Sequence, residues 1–275
     1  MSKNLIPAQR RKLIQEYLTA RKIASIADLS GIVETSEATI RRDLEWLENE
    51  GLLERTYGGA ILNQRYNLES AYEQRATSFP EEKRLIGEHA ASLIEDGDIV
   101  FINSGTTTAQ IFHHIPKDAK ITVFTNNTIA AFEIGDDIGY EVILLGGTLN
   151  NKVNAVTGSY TLSNLSQIYA DKTFVGVDGI SLKFGCTVPT NAEAEIVRTM
   201  IARTRGLVAV VTDHSKWGVV SNFEVAKVNQ VHKLITDGGI DAGAYDALVS
   251  QSVDVVITNP QNNNPPELVG KGGRI

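Results

Sequence analysis

Two periods of hydrophobic residues divide the chain. Over the first sixty residues the apolar positions recur every three or four residues, as they do on amphipathic helices. From residue 81 onward, short runs of consecutive apolar residues alternate with stretches of helical period. This change of pattern predicts two domains, and a chain of 275 residues is long enough to bury two hydrophobic cores.

The first pattern predicts three helices and a hairpin in residues 1–62. Ser25, followed three residues later by an aspartate, is a variant of the capping box and begins the second helix. Ser36 caps the third helix, where apolar residues recur at i, i+4 and i+7. Two β-prone runs flank Gly58 and Gly59, which is a hairpin signal. Helix, turn, helix and hairpin together describe a winged helix-turn-helix.

The second pattern predicts an α/β fold. Strands that are apolar throughout and separated by helices are typical of a mostly parallel, open sheet with helices on both faces. The predicted strands are 98–102, 120–124, 140–145, 172–177, 206–211, 232–236 and 253–258.

The segments outside these patterns are polar. Residues 63–80 show no sustained period and are assigned to a linker, so that the α/β domain covers 81–260. The final segment, 261–275, is rich in asparagine, proline and glycine and is predicted to be disordered.

The composition indicates in which compartment the protein resides and which cofactors it can bind. No apolar run approaches the length of a membrane span, and the N-terminus lacks the apolar core of a signal peptide. We therefore expect a soluble cytoplasmic protein without membrane contact. The single cysteine, Cys186, excludes an intrachain disulfide and a cysteine-based zinc site, and no metal-ligand spacing occurs. Neither a metal nor another cofactor is expected.

The net charge of −7 does not decide whether the protein binds nucleic acid. Residues 1–60 contain nine basic and nine acidic residues, so the whole excess of negative charge lies in the remainder. A neutral N-terminal domain can still present one basic face.

The third helix carries the candidate DNA contacts. Thr39, Arg41 and Arg42 lie on or beside the face opposite its apolar residues, in the N-terminal half that enters the major groove in helix-turn-helix proteins. The hairpin adds Arg55 and Tyr57, which could reach the neighbouring backbone or the minor groove. The alternative is a solvated helix face in which Arg41 pairs with a glutamate four residues later, Glu45.

Polar residues follow most of the predicted strands, at the sheet edge where open α/β folds bind ligands. After the first strand, glycine allows a turn, threonine hydroxyls donate, and free N–H groups at a helix start favour an anion such as phosphate. A capped turn without a ligand is the alternative. The candidates from this argument are Asn103, Ser104, Gly105, Thr106, Thr107, Thr125, Asn126, Gly146, Gly147, Asp178 and Lys216.

The motifs of both halves resemble one family. "TIRRDLEWLENEGLLERTYGGA", after "RRKLIQEYLTARKIASIADLS", resembles the N-terminal signature of DeoR-family bacterial transcriptional regulators. "SGTTT", "VFTNN", "ILLGGTL", "FVGVDGI" and "VVTDHSKWG" follow in the family's order, so that the resemblance covers about residues 5–240. It implies a winged helix-turn-helix that binds operator DNA. It also implies a C-terminal domain similar to ribose-5-phosphate isomerase that senses a phosphorylated sugar.

The resemblance also implies residue roles. The DNA-binding candidates are Ser25, Ser36, Thr39, Arg41, Arg42, Arg55 and Tyr57. The phosphate loop falls on Ser104–Thr107, an acid of the site on Asp178, a further acid on Glu193, and the family's lysine on Lys216. Two departures leave the identity of the effector open. Asn103 stands where many members have aspartate, and no arginine follows Gly146-Gly147, where Lys152 is the nearest base.

Two functions remain at this point. The first is a regulator, expected to repress a carbohydrate-catabolism operon, with double-stranded operator DNA, a phosphorylated sugar and a second copy of itself as partners, as a dimer or tetramer. The second is a sugar-phosphate isomerase with an accessory head, in which Asp178, Glu193 and Lys216 move a proton next to a carbonyl. An isomerase has no need of a recognition helix and wing, so the sequence favours the regulator.

Overall fold

The structure of the protein is a computed structural model, which describes residues 5–21, 23–49, 53–56, 58–62, 72–134 and 138–258. Among these residues, no helix is both long enough and apolar enough to cross a membrane. The predicted disordered segment, 261–275, lies outside the described residues.

The N-terminal domain consists of three helices and three short strands. Their bounds are α1 (Pro7–Arg21), β1 (Ile23–Ser25), α2 (Ile26–Val33), α3 (Glu37–Asn49), β2 (Leu53–Thr56) and β3 (Gly59–Leu62). The predicted helices and hairpin are confirmed. The structure adds β1, which pairs antiparallel with β3 and completes a three-stranded sheet. The predicted capping box is present, because Ser25 Oγ accepts a hydrogen bond from Asp28 N at 3.0 Å.

A buried carboxylate fixes α1 to α3. Asp43 is 1% exposed, although the side chains around it on α3 form the apolar core of the domain. Its two oxygens accept hydrogen bonds from Arg10 Nε at 2.8 Å and Arg11 Nε at 3.0 Å. The Arg11 guanidinium also lies 4.1 Å from the ring centroid of Trp46. Two of the basic residues near the N-terminus therefore hold the domain together.

The C-terminal domain contains a seven-stranded sheet in which every neighbouring pair is parallel. Its strands are β4 (Ile99–Ile102), β5 (Thr122–Thr125), β6 (Glu141–Leu144), β9 (Ala170–Val175), β12 (Thr204–Val211), β14 (Lys233–Asp237) and β15 (Asp254–Thr258), in the spatial order β15-β14-β12-β9-β4-β5-β6. All seven predicted strands are confirmed, each within two residues at either end.

Helices cover both faces of this sheet. They are α5 (Pro80–Ala91), α6 (Thr106–Phe112), α7 (Thr128–Glu133), α8 (Ser159–Leu165), α9 (Asn191–Ala202) and α10 (Ala242–Ser250). Val100 and Ile102 of β4 pack in one core with α5 and α6, whereas Phe101 between them packs with Ile196 of α9 in another. Because successive side chains of a strand point to opposite faces, a strand buried on both sides is apolar throughout.

Several short elements were not predicted. They are the hairpin of β7 (Thr148–Asn150) and β8 (Ala155–Thr157), the strands β10 (Gly179–Ser181), β11 (Gly185–Val188) and β13 (Phe223–Ala226) of a second sheet, and α4 (Tyr72–Thr77). The helix α4 lies in the segment assigned to a linker, of which residues 63–71 are outside the described part of the chain. Phe79, in the left-handed conformation with φ 52°, joins α4 to α5.

Candidate functional site

The exposed face of α3 presents both candidate arginines. Arg41 and Arg42 are exposed and Thr39 is half-buried. Arg41 Nη2 pairs with Glu37 at 3.1 Å, one turn before it, and not with Glu45 as the alternative had it. The reason is geometric, since long side chains on a helix lean toward its N-terminus. Within the described residues Arg42 has no ion-pair partner, so its guanidinium remains available to a ligand.

The other candidates of this domain make local hydrogen bonds. Ser36 Oγ lies 2.9 Å from Thr39 Oγ1 and accepts a hydrogen bond from Thr39 N, which caps α3. The hydroxyl of Ser25 donates to Asp28. Arg55 Nε donates to Glu48 at 2.7 Å, which ties the wing to the last turn of α3. Tyr57 lies outside the described residues.

A cleft opens at the carboxyl ends of β4 and β9. From β4 the chain proceeds to β5 and β6 on one side, and later strands starting with β9 build the sheet on the other side. This point, where the strand order reverses, is the place at which open α/β sheets bind ligands. The cleft measures about 390 Å³ including the space open to solvent. Its lining includes the predicted residues Asn103, Ser104, Gly105, Asn126, Asp178 and Glu193, together with Arg75, Val153, Gly176, Val188, Ile196 and Val197.

Asparagine side chains shape the loop between β4 and α6. Asn103 Nδ2 donates to Gly176 O at 2.9 Å, and Gly176 N donates to Asn103 Oδ1 at 2.8 Å. Asn126 Oδ1 accepts from Ser104 N at 2.9 Å, and Asn127 Nδ2 donates to Gly105 O at 3.2 Å. The loop is therefore held in one conformation by residues that follow the neighbouring strands.

The loop leads directly into the first turn of α6. Thr106 and Thr107 begin this helix, and the first N–H groups of a helix have no acceptor within it. Such groups favour a bound anion. Both threonine side chains are buried and neither lines the cleft. Of this loop, Asn103, Ser104 and Gly105 are the residues that line the cleft.

Two carboxylates and one guanidinium line the same cleft. Asp178 Oδ1 is 3.4 Å from Arg75 Nη1, and both side chains are mostly buried. Glu193 completes a capping box at the start of α9, where its Oε2 accepts from Thr190 Oγ1 at 3.0 Å. Burial raises the pKa of Glu193 above its ordinary value, and the nearby charge of Asp178 acts in the same direction. The cleft thus combines hydrogen-bond donors that suit an anion with carboxylate oxygens that accept hydrogen bonds from hydroxyl groups.

The remaining effector candidates do not line the cleft. The structure places Thr125, Gly146, Gly147 and Lys216 elsewhere along the same sheet edge. Thr125 is fully buried, and its hydroxyl accepts a hydrogen bond from Asn127 N. Gly147, with φ 153°, is required by packing, since a Cβ there would lie 2.2 Å from Thr161 Oγ1. Gly146-Gly147 follows β6 and Lys216 follows β12, each two strands away from β4.

Arg75 is the polar residue of the cleft that sequence reasoning missed. It lies on α4, in a polar segment without a clear period. Lys83 of α5 fixes this segment in place, because its Nζ donates to the carbonyl oxygens of Arg75 at 2.5 Å and Ser78 at 2.6 Å. Lys83 is almost fully buried 4.0 Å from the Asp213 carboxylate, and its burial lowers its pKa to about 8. No metal-ligating group of three or more side chains occurs among the described residues.

Comparison with known proteins gives the same assignment for both domains. Residues 10–66 match the sequence profile of the DeoR-like helix-turn-helix domain, and residues 78–238 match that of the DeoR C terminal sensor domain. The chain is 34% identical to the HTH-type transcriptional regulator GlpR of Haloferax volcanii, covering 92% of this chain and 98% of that one. It is 33% identical to the HTH-type transcriptional repressor GlcR of Bacillus subtilis, over 91% and 96%. It is 29% identical to the putative aga operon transcriptional repressor of Escherichia coli O157:H7, over 91% and 93%.

Solved structures give more distant likenesses. The sorbitol operon regulator SorC of Klebsiella pneumoniae is 14% identical over 90% of this chain and 100% of that one, with a TM-score of 0.41. Ribose 5-phosphate isomerase A of Methanocaldococcus jannaschii is 13% identical over 51% of this chain and 55% of that one, with a TM-score of 0.37.

Proposed function

The chain belongs to the DeoR family of DNA-binding transcriptional regulators, and we propose that it represses a carbohydrate-catabolism operon and releases its operator when a phosphorylated sugar binds in the cleft. The names of two relatives, the repressor GlcR and the putative aga operon repressor, support the choice of repression. A regulator that binds chromosomal operator DNA must be in the same compartment as the chromosome, and we therefore propose that the protein is cytoplasmic.

Operator recognition falls to α3 in this proposal. Arg42 is exposed and lacks an ion-pair partner among the described residues, whereas Arg41 is held by Glu37. Arginine binds guanine edges and phosphates through a planar fork of donors, and a guanidinium without a competing carboxylate retains that capacity. Arg42 is therefore the principal contact and Arg41 a secondary one. Ser25, Ser36, Thr39, Arg55 and Tyr57 contribute to positioning on the DNA backbone.

The observation that carries the effector proposal is that one cleft contains both groups that bind an anion and groups that accept hydrogen bonds from hydroxyls. The lining includes Ser104 and Gly105, which lead into α6, a helix whose first backbone N–H groups favour an anion. It also includes Asp178 and Glu193, whose oxygens accept hydrogen bonds from hydroxyl groups. A phosphorylated sugar carries both a phosphate and hydroxyl groups, and each matches one of these two sets of residues.

Release of the operator then follows from linkage. An effector that binds the DNA-incompetent arrangement more tightly shifts the population toward it, and operator DNA weakens effector binding by the same factor. Helix-turn-helix proteins read two half-sites as dimers, and we accordingly propose a homo-oligomer, a dimer or a tetramer. The effector changes the spacing or orientation of the two DNA-binding domains.

The isomerase hypothesis has less support, and the chain is a regulator, as its curated relatives are. That hypothesis requires Asp178, Glu193 and Lys216 around one substrate. The two acids line the cleft, but Lys216 does not. Asp178 is also already paired with Arg75.

The proposal can be tested with the full-length protein and genomic DNA of its source. Fragments that the protein retains identify the operator, and fluorescence anisotropy with that fragment gives the affinity. Pentose and hexose monophosphates are then added one at a time, each beside the matching unphosphorylated sugar. We expect at least one monophosphate to weaken operator binding tenfold or more while its unphosphorylated partner has no effect. Unchanged affinity across the whole set would contradict the effector proposal.

A further inference from the structure

The cleft receives one side chain from outside the α/β domain proper. Arg75 belongs to α4, which precedes α5 and follows the DNA-binding domain along the chain. Its guanidinium enters the cleft that Ser104, Gly105 and Asp178 also line. The side chain is about four-fifths buried, with an exposed fraction of 19%. A residue of the segment between the two domains is therefore part of the candidate effector site.

The guanidinium of Arg75 is incompletely satisfied. Its contact with Asp178 is a single one, from Nη1 to Oδ1, at the long distance of 3.4 Å. Its Nε is buried and has no hydrogen-bond partner among the described residues. A guanidinium has five N–H donors and binds a carboxylate or phosphate most strongly through two parallel hydrogen bonds. A buried donor without an acceptor is costly, so an anion in the cleft would gain a partner that the protein itself does not supply.

We propose that Arg75 binds the phosphate of the effector, and that it exchanges the Asp178 carboxylate for that phosphate when the effector enters. This inference rests on the proposed sensor function. A phosphate held by the Ser104–Gly105 loop has oxygens left for a bidentate contact with Arg75. The exchange leaves Asp178 without its cation beside Glu193, and the hydroxyl groups of a sugar then donate to both acids. Inorganic phosphate cannot do this, and it consequently binds more weakly than a sugar phosphate.

The same exchange gives the effector a connection to the DNA-binding domain. Lys83 donates to the carbonyl oxygens of Arg75 in α4 and of Ser78, the residue after α4, so that this segment is fixed to the sensor at two points. The Arg75 side chain is the third point, through Asp178. Replacing Asp178 by a ligand changes the forces on α4 at this third point. Because α4 lies between the two domains in sequence, a change in its position on ligand binding is transmitted along the chain toward the DNA-binding domain.

The test uses the full-length protein and three variants. Arg75→Gln removes the charge, and Arg75→Lys retains it without the planar fork. Arg84→Gln is the matched control, because Arg84 is an arginine on α5 that binds Glu81 and Glu88 away from the cleft. Calorimetric titration with inorganic phosphate, glycerol 3-phosphate and a set of pentose and hexose monophosphates gives the affinities. Operator affinity is measured with and without each ligand, and the melting temperature without ligand shows whether each variant is folded.

We expect Arg75→Gln to weaken the tightest sugar phosphate at least tenfold and Arg75→Lys to lie between it and the wild type. Arg84→Gln should stay within twofold of the wild type. At saturating ligand, Arg75→Gln should still bind the operator. Unchanged ligand affinity in Arg75→Gln would overturn the role of Arg75 and leave the sensor proposal standing. Weaker ligand binding with normal operator release at saturation would overturn the connection through α4. If the wild type binds none of these compounds, the sensor proposal fails, and the role of Arg75 fails with it.

Discussion

Asn103 and Gly176 exchange two hydrogen bonds across the carboxyl ends of β4 and β9, at the point where the strand order reverses. The side-chain amide both donates to and accepts from the glycine backbone, as a residue of a neighbouring strand would. A carboxylate at position 103 could accept from Gly176 N but could not donate to Gly176 O. Asn103 is therefore satisfied by the fold of this chain.

Removing this amide should destabilise the sensor domain. In Asn103→Ala, the partly buried N–H and C=O groups of Gly176 lose their side-chain partners. A fully buried group without a partner costs about 1–3 kcal/mol, and access of water from the cleft reduces this cost. We expect the free energy of unfolding to fall by about 2–3 kcal/mol, measured by urea denaturation followed through Trp217 fluorescence in a Trp46→Phe background. Asn164→Ala, at an exposed position on α8, is the control. Equal stability of the two variants would show that the exchange contributes little.

Arg42 and Arg41 should differ in their effect on operator binding. Arg42 has no ion-pair partner among the described residues, while Arg41 pairs with Glu37. A specific arginine contact is worth about 1–3 kcal/mol, so Arg42→Ala should weaken operator binding roughly ten- to a hundredfold. Arg41→Ala should have a smaller effect. Anisotropy titrations at one fixed salt concentration measure both.

The control for these variants is Lys12→Ala, which removes one positive charge from an exposed position of α1 in the same domain. Sugar-phosphate affinity should be unchanged in all three variants. If Arg42→Ala binds the operator as the wild type does, the two arginines belong to a solvated helix face and α3 does not recognise DNA through them.

Asp43 should be required for the fold of the DNA-binding domain. Asp43→Asn removes the charge that Arg10 and Arg11 share, in a site where the aspartate is almost fully buried. Breaking a buried ion pair costs about 3–5 kcal/mol, and the partial exposure of the arginines reduces this to about 2–3 kcal/mol. Urea denaturation followed by Trp46 fluorescence, in a Trp217→Phe background, measures the loss. Glu45→Gln, exposed on the same helix, should change the stability by less than about 0.5 kcal/mol.

The strands of the large sheet could be predicted from sequence for a physical reason. A strand buried on both faces must be apolar at every position, and such a run is visible without knowledge of its neighbours. The strands of the second sheet are only three or four residues long. An alternation of period two cannot be recognised over so few residues, and for this reason β7, β8, β10, β11 and β13 were missed.

The candidate site could be predicted only in part, because sequence does not give the order of strands. Polar residues after every strand lie on one edge of the sheet, but only those near the reversal between β4 and β9 meet. Ser104, Asn126 and Asp178 satisfy that condition, whereas Gly147 and Lys216 follow strands farther away. Arg75 reaches the cleft from α4 through tertiary packing, for which no local pattern exists.

The charge of Glu193 should make the sensor domain less stable as pH rises. Burial, aided by the charge of Asp178, raises the pKa of Glu193 in the folded protein. A carboxyl group whose pKa is raised on folding contributes full stability below its unfolded pKa, and that contribution is lost as pH rises through the folded pKa. Each unit by which the pKa is raised corresponds to about 1.4 kcal/mol of stability.

The test is Glu193→Gln, which retains an oxygen that can accept from Thr190 and does not ionise. Its stability relative to the wild type should therefore increase from pH 4 to pH 7 in urea denaturation. Glu195→Gln, exposed on the same helix, should show no such trend, and a Glu193→Gln difference that is constant with pH would mean that this carboxyl group titrates as it does in water.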